Sequence, residues 1–136
     1  MQKDSVRAFK NELRNYTYYL SRIVSLENSI EFLYDRLGGV RGIDPSKEPL
    51  HTVPNKEMEW KIRDDISKLE KTKERTEAKV MEIDSVLNRI ESPLRNAIIN
   101  IYVVGKQVKN TCDYYYLSPS GLVSRMNKAI EEALDE

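Results

Sequence analysis

Apolar positions recur along the chain in steps of three and four. Val6, Phe9, Leu13, Tyr16, Leu20, Ile23, Ile30, Tyr34 and Leu37 keep that rhythm, with Glu27 as the one charged interruption. Steps that average 3.5 residues hold one stripe of a helix toward a partner, so the spacing predicts a long helix over 6–37 with a coiled-coil seam. Tyr19, Val24, Leu26 and Leu33 widen the stripe, which implies packing on more than one neighbour. A second stripe begins near Met58 and runs through Ile62, Ile66, Leu69, Lys73, Thr76, Val80, Ile83, Leu87, Ile90 and Leu94. Each helix is expected to be roughly 50 Å long at 1.5 Å per residue.

Between them lies GGVRGIDPSKEPLHTVPN, residues 38–55, with three glycines and three prolines. That density of breakers ends any helix and lets the chain reverse. The stretch is long for a simple connection, so it reads as a mobile tip or as a functional loop. An antiparallel helical hairpin over 1–91 follows. Pairing seam positions so that Tyr34 meets Ile62 and Leu13 meets Ile83 brings Glu27 within one layer of Lys73. The two charged interruptions would then fix the register.

Ser92-Pro93 marks a new start, with serine as cap and proline at the first helical position. Beyond it the heptads stop. Three short helices are expected over 93–104, 109–115 and 119–134, separated by VGKQ and YLS. Gly105 stands where the first must turn, and Ser118 followed by Pro119 is the strongest helix start in the chain. In the last helix Leu122, Met126, Ala129 and Ala133 share one face, whereas Ser120, Gly121, Ser124, Asn127 and Lys128 lie on or near the other. The run Tyr114, Tyr115, Tyr116 cannot make a single stacking surface on a helix, because successive side chains point about 100° apart. Tyr115 is expected in the core, with Tyr114 and Tyr116 flanking the turn.

The 136 residues suit one domain or a small domain with an extension, and the formal net charge is zero. Charged residues make up 32%, a balance typical of long solvated helices, so a basic surface must be local. One exists in 92–130, where Arg95, Lys106, Lys109, Arg125 and Lys128 face Asp113 alone before an acidic tail, EEALDE, restores neutrality. Four excess cations supply a modest phosphate footprint. Cys112 and His51 are single, so neither a disulfide framework nor a Cys/His zinc site can be assembled from one chain. Cys112 reads as a small buried residue and His51 as an exposed loop residue. No catalytic constellation is present, and Asp64-Asp65 reads as part of a charged helix face. No signal peptide or membrane span is evident, and a reducing cytoplasm is expected.

The segment LRNAIINIYVVGKQVKNTCDYYYLSPSGLVSRMNKAIEEAL resembles the helix-turn-helix of sigma factor region four. It is more closely similar to the C-terminal part of small phage transcriptional regulators of the RinA and ArpU type and their relatives. The likeness covers about 40 residues at pattern level and the full length only as architecture. It implies an all-α protein: a long antiparallel helical hairpin (1–91) followed by a three-helix, sigma region four-like helix-turn-helix (92–136). It further implies a DNA-binding regulator of late or packaging genes, not an enzyme and without a cofactor. Double-stranded DNA is the expected partner, possible further ones being host RNA polymerase and a second copy held through the hairpin.

In such a fold the outer face of the last helix enters the major groove. Ser120, Ser124 and Asn127 would then meet base edges, and Arg125 and Lys128 phosphates, with Lys106, Lys109, Ser118 and Gly121 completing the expected DNA-binding set. Val123 is placed to touch a thymine methyl. The leading turn of this helix is small and uncharged, so support from a second copy or from RNA polymerase is expected. Two other readings stay open: a DNA-packaging component similar to small terminase subunits, and a coiled-coil protein that binds a host protein.

Overall fold

The computed structural model describes residues 3–40 and 56–136, and all elements within them are helical. They are α1 (Asp4–Arg14), α2 (Tyr16–Val40), α3 (Lys56–Asn88), α4 (Ser92–Ile98), a π-helical turn (Ile99–Val103), α5 (Val108–Cys112), a 3-10 turn (Asp113–Tyr115) and α6 (Pro119–Leu134). His51 and most of the glycine- and proline-rich segment lie outside the described residues. Helix α2 runs on through Gly38 and Gly39 to Val40, and α3 begins at Lys56, two residues before Met58. The expected single helix over 6–37 is interrupted at Asn15. Its amide still bonds back to Asn11 and Glu12, and Tyr19 N–H donates to its carbonyl, so the hydrogen bonding continues across the break.

The chain divides into two compact units. One comprises 1–20 with 78–136, the other 21–77. In the first, α6 packs on α1, α4 and α5, and α1 also meets the π turn. Its core joins Val6, Phe9 and Leu13 of α1 with Ile83, Val86, Leu87 and Ile90 from the end of the α3 region, then Ala97, Ile98, Tyr102 and Cys112, and closes on Leu122, Met126, Ile130 and Ala133 of α6. The expected boundary at 91/92 separates segments that here share one core. The reason is physical: a three-four stripe serves a coiled-coil seam and a globular core equally well, and Val6, Phe9 and Leu13 enter the latter.

The second unit holds a smaller cluster in which Leu37, Ile62 and Ile66 are buried, with Ile30 and Leu33 packed beside them. Tyr34, expected opposite Ile62, is half exposed, and its hydroxyl donates to Glu70 at 3.1 Å. The aliphatic line 26, 30, 33 and 37 carries the seam in its place, because a tyrosine hydroxyl needs water or an acceptor. Glu27 and Lys73 do meet, at 3.4 Å.

Candidate nucleic-acid interface

The segment 105–134 is organised by its turns. Five-residue backbone bonding in the π turn brings Val104 N–H to Ile99 O at 2.9 Å, and Gly105 then takes φ +92°, a conformation open to glycine. At Ser92 the sequence expectation shifts by one residue. Glu91 holds the extended N-cap backbone of α4 and Ser92 lies inside the helix, so the serine caps nothing.

The second turn closes α5 and its 3-10 extension. Tyr116 adopts the left-handed conformation at φ 56°. Leu117 N–H donates to Cys112 O and Tyr116 N–H to Asp113 O, both at 3.3 Å, which is the hydrogen-bond pair of a Schellman ending. Tyrosine in this backbone region costs about 1 kcal/mol. Leu117 packs against the core. Cys112 is buried and its thiol points to Lys109 O, in keeping with a small core residue.

Ser118 starts α6. Its Oγ accepts the Gly121 N–H at 3.1 Å, and Pro119 occupies the first turn, where no amide is needed. Leu122, Met126 and Ile130 are wholly buried and Ala133 nearly so, which adds Ile130 to the face read from sequence. Ala129 is only partly buried.

On the opposite side Ser120, Ser124, Asn127 and Lys128 line one shallow groove of about 630 Å³, together with Val108, Val123 and Glu131. Asn127 Oδ1 is buried there without a hydrogen-bond partner among the described residues. Arg125 is exposed on the flank of the helix, outside this groove, and Ser118 is committed to its cap. A side chain at Gly121 would approach Ser118 Oγ to 3.0 Å, so glycine keeps the cap unobstructed. Lys109 is exposed on α5, and Lys106 lines a different groove with Tyr114.

The charges are distributed unevenly in their pairing. Lys106, Lys109, Arg125 and Lys128 form no ion pair among the described residues, whereas the acidic end of α6 is engaged. Glu131 contacts Lys3 at 2.6 Å and raises the lysine's pKa, first by hydrogen bonding and then by its charge. Arg89 donates to Ala133 O at 3.0 Å and reaches Glu136 at 3.9 Å. The nearby carboxylate in the groove is therefore partly neutralised within the fold.

Sequence reasoning missed a cationic stack on α1. Lys10 lies 5.0 Å and Arg14 5.6 Å from the centre of the Tyr102 ring. Lys10 is buried, and desolvation, aided by the charge of Arg14, lowers its pKa. Burial raises the Tyr102 hydroxyl. No cluster of three or more metal-ligating side chains occurs among the described residues, and none of their helices is long and apolar enough to cross a membrane. Compared with known proteins, the chain matches no family model, no curated protein and no solved structure.

Proposed function

We propose that this chain is a DNA-binding transcriptional regulator that inserts the outer face of α6 into the major groove. The observation that carries this reading is the capped α6. One face is buried, and the other presents Ser120, Ser124, Asn127 and Lys128 together, flanked by exposed Arg125. Serine and asparagine offer both donors and acceptors to base edges, and the cations suit phosphates. The α5–turn–α6 arrangement serves in this reading as a sigma region four-like helix-turn-helix, with α5 as the positioning helix. A role at phage late or packaging promoters, and help from RNA polymerase or a second copy, follow from the resemblance of the C-terminal segment.

The test is duplex binding across a salt series, with promoter-bearing and scrambled DNA. About four neutralised phosphates give a log–log salt slope near −3.6. Lys128→Ala should weaken all duplexes and reduce that slope by about 1, while Asn127→Ala should reduce preference between sequences. Failure to bind any duplex at low salt would remove the proposal. A protein-binding role is favoured by a separate observation, the exposure of Val24, Phe32 and Trp60 in the second unit. Activity that survives loss of Ser124 and Lys128 together would shift the balance toward it.

A further inference from the structure

A second groove, of about 720 Å³, opens between the α4–π segment and α5. Its polar lining is Asn96, Asn100, Asn110, Thr111 and Lys106, and its aromatic lining is Tyr114 and Tyr115. The Thr111 hydroxyl donates to Gln107 O at 3.1 Å, and the other side chains make no hydrogen bond or ion pair among the described residues. Among the described residues no carboxylate lines it. Glu131 lines the α6 groove, Glu12 and Glu82 the one beside Phe9, and Asp84 the one beside Arg95. A site that gathers three carboxamides and a free cation without an acid suits an anionic ligand rich in donors and acceptors.

The rings narrow the class further. Tyr114 is 86% exposed, and its ring is tilted 52° from that of Tyr115, so one ring offers an open face and the pair does not form a platform. Beside it Tyr116 holds the left-handed backbone described above, and such strain concentrates at functional positions. The neighbouring π turn is of a kind that is also frequent at such places. An open aromatic face, amide edges and a lysine are the three elements that recognise a base, its hydrogen-bonding edge and its phosphate. The volume falls within the range of small-ligand sites.

We propose that this groove binds a nucleotide, with the base on Tyr114, its edge toward the asparagine carboxamides and its phosphate at Lys106. The nucleotide is either free or an unpaired residue of a single strand. The site is separate from the α6 face and does not depend on duplex binding.

The test uses the full chain and labelled six-nucleotide single strands, read by fluorescence anisotropy, with mononucleotides as competitors and a duplex as a parallel ligand. Strand binding should fall about tenfold or more in Tyr114→Ala and be retained in Tyr114→Trp. Asn100→Ala and Lys106→Gln should each weaken it, whereas Lys128→Ala should not. Displacement by excess mononucleotide assigns a free nucleotide as ligand, and strand binding that resists it assigns an unpaired residue. Because Tyr114 is exposed, circular dichroism should show its variants folded. Absence of binding by both strands and mononucleotides overturns the proposal, as does binding indifferent to Tyr114→Ala and Asn100→Ala together. Duplex binding that depends on Lys128 but not Tyr114 would separate failure here from failure of the α6 reading.

Discussion

The two units use the same three-four periodicity to different ends. In the first, buried side chains come from segments more than 100 residues apart in sequence, from Val6 to Ala133, and seven of them are exposed by less than 2%. In the second, Leu37, Ile62 and Ile66 form a short cluster, and much of the remaining stripe is occupied by Glu27, Lys73 and Thr76. Thr76 donates back to Thr72 O at 2.9 Å and therefore satisfies itself within its own helix. One unit is held by convergence of many elements, the other chiefly by intrahelical bonds and a thin seam. A periodic stripe thus predicts that a helix buries a face, without specifying how much stability that burial provides.

The sharpest way to break this contrast is to remove a fully buried side chain from the first unit. Leu122→Ala should cost about 3 kcal/mol, because transfer and cavity contributions both apply at a site packed on all sides. Urea unfolding followed by circular dichroism measures it. Duplex binding should fall with it, since the variant loosens the buried face that positions Ser120 and Ser124. A loss smaller than that caused by the next substitution would erase the distinction between the units.

That substitution is Ile66→Ala, with an expected cost of about 2 kcal/mol. The cavity is smaller in effect because a thin cluster can collapse around it. Amide hydrogen exchange should show faster opening over 21–38 and 56–77 with little change in α6. Uniform acceleration throughout the protein would mean that the two units unfold together, and the contrast would then concern packing alone.

The legibility of each region in the sequence follows from the range of the forces that shape it. Helix α6 and its Ser118 cap were readable because cap, proline and apolar spacing act within one or two turns. The outer face of that helix is legible for the same reason: helical spacing puts Ser120, Ser124, Asn127 and Lys128 on one side, and they line one groove. The left-handed Tyr116 was hidden, since tyrosine does not favour that backbone and packing of Leu117 helps to hold it. Lys10 was equally hidden, because a lysine on an apolar stripe gives no local sign of a tyrosine ring from a segment 92 positions away. The Asn96–Tyr114 groove joins four local segments, and no spacing rule brings carboxamides at 96, 100 and 110 together with Lys106.

A local interaction at the proposed interface should have a smaller effect than either core change. Ser118→Ala removes the acceptor for Gly121 N–H and should cost about 1 kcal/mol, whereas Ser118→Asp should restore most of it. The readouts are urea unfolding and exchange of the Gly121 amide. If alanine were neutral, the start of α6 would be fixed by Pro119 and the core, and the cap would be incidental.

An edge contact of the first unit gives a pH signature. Tyr16 donates to Asp84 Oδ1 at 2.8 Å, and burial first, then the hydrogen bond and charge of Asp84, raises its pKa above 10.0. The folded state therefore keeps this proton after the unfolded state releases it. The resulting stabilisation is complete below pH 10.0 and is lost as pH rises through the higher folded value. Lys10 works in the opposite sense: its lowered pKa makes stability increase between the folded value and 10.5. Tyr16→Phe should cost about 0.5 kcal/mol near neutrality and flatten the alkaline decline in urea midpoint. A decline as steep as in the parent protein would assign it to Tyr102 and Tyr19, whose pKa values are also raised.

The smallest expected effect concerns the charged interruption of the thin seam. Lys73 reaches Glu27 at 3.4 Å and Glu77 at 3.7 Å, with its side chain 29% exposed and the two acids about half exposed. Sharing one cation between two hydrated carboxylates limits either contact, so a Glu27→Gln, Lys73→Met double-mutant cycle should give a coupling of about 0.3 kcal/mol. High salt should reduce it further. The role of such a pair in register is separable from its energy. Replacing both residues by leucine extends the apolar stripe and should raise stability while admitting alternative pairings of the helices, read as extra cross-peaks for Ile62 and Ile66 methyl groups. A single set of peaks with raised stability would show that Leu37, Ile62 and Ile66 fix the register by themselves, and that the second unit is thin without being underdetermined.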